Sequence, residues 1–133
     1  MQEISPEVIL PSQNFLKENT VRYIFDCISK GQFDDLPPTP LVRKDESDNL
    51  VAIDGHNLIA VHLFRNEPIK VIVANSPQDG LPATTEANME RNRELAEKFD
   101  SILEDRERVE QEGIKSFLDL IQKYPDLFKD GDV

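Results

Sequence analysis

The chain has 133 residues, 38% of them hydrophobic and 31% charged, which is the composition of an ordinary globular domain and excludes a disordered chain. Fifteen Lys and Arg against 26 Asp and Glu leave a formal charge of −11. The deficit is spread along the chain, 7 basic against 12 acidic residues up to Pro82 and 8 against 14 beyond it.

Binding to a nucleic-acid backbone is driven by cations that release counterions. With this charge and no run of three Lys or Arg, DNA is not expected as a ligand of the isolated chain. No apolar run approaches the roughly 18 residues of a membrane-spanning helix, and Met1 to Pro6 lacks the basic and apolar regions of a secretory signal. Cys27, the single cysteine, has no partner for an internal disulfide. A reducing cytoplasm, without a membrane partner, is the expected setting.

Residues 4–16 read as an extended entry, with Val8-Ile9-Leu10 a short strand stopped by Pro11. Thr20 reads as the N-cap of a helix whose apolar stripe is Val21, Ile24, Phe25 and Ile28, with Gly31 as its stop. Leu36-Pro37-Pro38-Thr39-Pro40 is too proline-rich to be helical. Leu41-Val42-Arg43 and Leu50 to Ile53 then read as two strands about a polar turn. Asn57 to Phe64 is apolar on most faces, as in a buried helix, and Ile69 to Val73 is a third strand.

The turn-rich segment Ser76 to Pro82 marks a boundary, which divides the chain into a domain of residues 1–82 and a helical extension of residues 83–133. Within the extension, one long helix is expected over about 85–112, interrupted by Gly113, and a shorter one over about 114–124. The long helix is most simply a solvent-facing one, although its apolar stripe is also a candidate surface for a homodimer. The resulting fold class is α+β, a small mixed sheet with helices.

Chemistry concentrates at Ile53-Asp54-Gly55-His56-Asn57, between a strand and a helix. A glycine there lets the backbone turn sharply and a ligand approach closely. A helix that starts at such a turn offers free N–H groups and the positive end of its dipole to an anion. Asp54 supplies a carboxylate for a metal or a proton, and His56 a group that titrates near neutrality. The plainer alternative is that Asp54 caps the helix and His56 is a turn residue. His62 reads as a structural histidine in the apolar helix. Glu18, Asp34 and Asp35 read as solvated, and Arg43 either meets a phosphate near the turn or is an exposed strand end.

The run from Leu36 to Val73, LPPTPLVRKDESDNLVAIDGHNLIAVHLFRNEPIKVIV, resembles the core of the ParB/sulfiredoxin-like family. That family has a proline-introduced strand, a hairpin, a glycine-containing turn, a helix and a strand of the I-P-V-x-V type. Ile9-Leu10-Pro11-Ser12-Gln13 is similar to its first box, so the resemblance spans about residues 4 to 80.

Sulfiredoxins carry a cysteine in the turn, as G-C-H-R, whereas here His56 follows Gly55 directly. Partition proteins carry an arginine-rich G-E-R-R box, which this chain lacks. Asp54-Gly55-His56 is closer to the D-G-H-H-R of the free-serine kinases of this fold, with Leu58 where their arginine stands.

The resemblance implies a nucleotide or other phosphate-bearing ligand at the turn, with Mg²⁺ as companion. Asp54 and His56 would then be catalytic, as in a phosphotransferase or nucleotide hydrolase, with Asp54 as the metal contact. Gly55, His56, Asn57 and Arg43 would contact the phosphate. The alternatives are a non-catalytic interaction or dimerisation module and, third, a partition-type DNA-binding protein.

Overall fold

A computed structural model describes residues 1–79 and 84–129. Five strands, β1 (Gln2–Ile4), β2 (Ile9–Leu10), β3 (Leu41–Lys44), β4 (Leu50–Asp54) and β5 (Ile69–Val73), form one mixed sheet in the order β1-β5-β3-β4-β2. Among the described residues there are five α-helices: α1 (Glu18–Ser29), α2 (His56–Phe64), α3 (Glu86–Lys98), α4 (Ile102–Gln111) and α5 (Phe117–Gln122). The expected α+β class is therefore observed. None of the helices is long and apolar enough to cross a membrane.

The β3–β4 hairpin is built on Asp45. Its Oδ1 accepts from the amides of Ser47 and Asn49 at 2.8 and 2.9 Å, which leaves Asp48 in the left-handed region at φ 63°. The hairpin is antiparallel, with Lys44 opposite Leu50 and Arg43 opposite Val51. β5 lies parallel to β3, and β2 parallel to β4. The N-terminal strand β1, which the sequence reading does not foresee, adds antiparallel to the free side of β5. Pro6–Val8 form a 3₁₀ turn, so the strand expected from Val8 begins at Ile9.

Side chains alternate across the pleat, and here both faces are covered. Val42, Ala52 and Val71 point into a large core shared with Val21, Ile24 and Phe25 of α1, Leu58 to Val61 of α2, and Phe117, Leu120 and Ile121 of α5. Leu41 and Ile53 point the other way, into a smaller core with Leu95, Phe99 and Ile102. α4 belongs to both, with Ile102 in the smaller and Val109 in the larger. This is why α2 is apolar nearly all round: it packs among the sheet, α1 and α5.

Two expectations about helix limits are corrected. α1 starts at Glu18, with Lys17 and not Thr20 at its N-cap. A tertiary bond sets that start, because the Lys17 amide donates to Asn57 Oδ1 at 2.9 Å. The single helix expected over 85–112 is two, α3 and α4, broken at Phe99–Ser101. Arg43 Nη1 donates to the Phe99 carbonyl at 2.7 Å, taking the acceptor that a continuous helix would use. Asp100 and Ser101 are weak helix formers at the break. The boundary expected at residues 82–83 lies outside the described residues.

Candidate functional site

β4 ends at Asp54 and α2 begins at His56, so the whole reversal falls on Gly55. Its φ of 87° and ψ of 23° are left-handed, and a Cβ there would lie 2.6 Å from Pro40 Cβ. Conformation and space both require glycine. The proline-rich connector leading into β3 is thus the wall against which the turn is pressed.

The turn opens onto a cleft of about 390 Å³. Its lining includes Lys17, Asp54, Gly55, His56, Asn57, Arg91, Glu94 and Lys98. The Ile59 amide is the first in α2 to bond back, to Gly55 O at 3.0 Å. The amides of His56, Asn57 and Leu58 therefore form the orphan first turn of the helix. In a chain of charge −11, three cations face this turn from α3 and from the N-cap of α1.

Both oxygens of Asp54 are engaged. Its Oδ1 accepts from the Gly55 amide at 2.7 Å and its Oδ2 from Arg91 Nε at 2.5 Å. Arg91 Nη2 donates in turn to the Thr39 carbonyl at 2.5 Å. Arg91 is only 11% exposed in its side chain, and its Nη1 is buried with no hydrogen-bond partner among the described residues. The sequence reading missed Arg91 because it lies 37 positions from Asp54 on a helix read as solvent-facing.

His56 faces inward and is 3% exposed. Its Nε2 accepts from the Ser12 amide at 3.0 Å, and its ring lies 5.5 Å from that of Phe117. Accepting an amide hydrogen at Nε2 places the ring proton of the neutral imidazole on Nδ1. Burial drives its pKa down to about 3, with Asp54 raising it and Lys98 lowering it further. An imidazole held neutral in this way is not the near-neutral acid or base that the sequence suggests. Ser12 is no activated nucleophile, since its hydroxyl donates to Ala52 O at 2.6 Å. Ser12 and Phe117 are partners that sequence spacing does not reveal.

Asn57 is at the cleft, but its Oδ1 is taken by the Lys17 amide. Arg43 is not brought to the turn. It sits opposite Val51, about 10 Å along the strand from Asp54, and stacks 4.1 Å above the Phe99 ring. Each carboxylate oxygen of Asp54 carries one hydrogen bond, from the Gly55 amide and from Arg91 Nε. Among the described residues no group of three His, Cys, Asp or Glu is placed to hold a metal.

Of the apolar stripe considered as a dimer surface, Leu95, Phe99 and Ile102 are buried within the chain and Leu103 packs against them, whereas Ala96 is exposed. Met89 and Leu118 remain exposed. No protein-family model matches the chain, and no curated protein or solved structure does either.

Proposed function

We propose that this is a ParB/sulfiredoxin-like domain that binds a small phosphate-bearing molecule, a nucleotide among the candidates, at the N-terminus of α2. The observation that carries the reading is local. The first-turn amides of α2, without a hydrogen-bond partner among the described residues, open into a cleft lined by three cations, Lys17, Arg91 and Lys98, against two carboxylates, Asp54 and Glu94, in a chain that is otherwise strongly acidic. Helix N-termini and cations attract the same ligands, anions with several oxygens.

The reading is one of binding. His56 is buried on Ser12 and held neutral there, and Asp54 is paired with Arg91. Calorimetry at low salt with ATP, inorganic pyrophosphate and orthophosphate tests it. Saturable binding of at least one, weakening as salt rises and reduced in Lys17→Gln and Lys98→Gln, is expected. A wild-type protein that binds none of the three sinks the reading.

A further inference from the structure

The cleft contains anions of its own, Asp54 and Glu94. Asp54 accepts from the Gly55 amide at the start of α2, the end of the helix that attracts negative charge. Arg91 neutralises it from α3 and reaches on to the Thr39 carbonyl. A phosphate entering beside Asp54 meets a like charge, and Arg91, of the three cations the one in contact with Asp54, is placed to offset it.

The guanidinium has capacity to spare. Nε and Nη2 have partners, but Nη1 is buried with none among the described residues, an arrangement that proteins seldom leave standing. A planar guanidinium also matches phosphate at least as well as carboxylate, through paired N–H donors. Leu95 on α3 and Phe99 at its C-cap, which follow it along the chain, are buried in the smaller core and anchor the far half of α3. Glu86, Ala87, Met89 and Glu90, which precede it, are exposed.

We infer that Arg91 is a ligand-exchanged latch: it pairs with Asp54 when the cleft is empty and passes to the phosphate when the cleft is filled, so that Asp54 competes with the ligand and α3 responds to its arrival. This rests on the phosphate-binding reading above and adds to it a sensing role for the helix beyond the family-like segment. The cavity at the turn thereby acquires a built-in competitor, and Asp54 opposes binding instead of assisting it.

The test is pyrophosphate titration of the full chain and its variants, with hydrogen exchange of α3 read in parallel. Asp54→Asn is expected to tighten binding by about threefold to tenfold, since it removes the competing charge and frees Arg91. Arg91→Gln is expected to weaken binding by about tenfold or more, and the double variant to bind more tightly than Arg91→Gln, because the like charge of Asp54 is gone, but less tightly than Asp54→Asn. Saturating pyrophosphate should change exchange in residues 86–93 of the wild type and leave it unchanged in Arg91→Gln.

Weaker binding in Asp54→Asn, or unchanged binding in Arg91→Gln while the wild type binds, overturns the latch and leaves the phosphate site standing. A wild type that binds no pyrophosphate, ATP or orthophosphate overturns both. Circular dichroism and the melting temperature of each variant separate loss of binding from loss of fold.

Discussion

Gly55 and His56 are neighbours with opposite legibility. The need for glycine follows from the strand–turn–helix pattern alone, and the structure adds Pro40 as a second reason. Gly55→Ala is expected to destabilise the protein by about 2–4 kcal/mol, combining left-handed strain with the overlap on Pro40. Gly113→Ala, at φ 96° with nothing within 4 Å of its added Cβ, should cost only about 1 kcal/mol. Urea midpoints of the two variants check the contrast.

The place of His56 in the chain is plain, but its chemistry is not, because burial is decided by Ser12 and Phe117 from distant segments. Its pKa falls from 6.5 to about 3 on folding, so between those values the unfolded chain binds the extra proton. Stability from this group is complete above pH 6.5 and declines as pH falls, by up to about 1.4 kcal/mol per pH unit. Comparing denaturant curves at pH 7 and pH 5, the wild type should lose more stability than His56→Asn. Equal losses would show that the imidazole is not held neutral by the fold.

At the scale of elements, β3, β4, α2 and β5 stand within a residue or so of where hydrophobic period and turn residues place them. These elements carry local signals: the Asp45 turn, the apolar run and Pro68. The two-residue β2 and edge strand β1 have almost no period to read, and the α3–α4 break depends on Arg43, more than fifty positions away.

Arg106 shows how such tertiary bonds hold elements together. It is 7% exposed, and its Nη1 donates to Pro11 O at 2.8 Å and Ile114 O at 3.0 Å. Burial lowers its pKa, opposed by Glu110, Asp119 and Asp45. Arg106→Ala leaves those carbonyls without their donor, and a loss of about 2–4 kcal/mol is expected in chemical denaturation. Arg106→Lys should recover only part of it, because an ammonium cannot reproduce the fork.

For the whole molecule, charge reads directly from the sequence and packing does not. A mobility-shift titration at physiological salt should show no binding of duplex DNA below micromolar protein, as a net charge of −11 requires. Sub-micromolar binding with steep salt dependence would reveal a basic face that the net charge conceals. The helices after residue 84 read in sequence as an extension, yet Phe117 and Leu120 lie in the same core as Ile9 and Ile24. Phe117→Ala is therefore expected to cost about 3–5 kcal/mol, measurable as a lowered melting temperature of the entire protein. Amphipathic spacing shows that a helix has an apolar face, but the partner of that face is fixed only in three dimensions.

The bond from Arg106 to Pro11 spans 95 positions, and those from Lys123 to Asn14 and from the Leu16 amide to the Tyr124 hydroxyl span 109 and 108. A ribosome adds about 5–20 residues per second, so Pro11 exists for some 5–20 s before Arg106 is even synthesised. Through that interval Ile9, Val21 and Phe25 lack the residues of α5 that later cover them, and the nascent chain presents an uncovered apolar surface. Synthesis rate and chaperone supply, acting before any ligand is met, thus bear on how much of this protein reaches its native state.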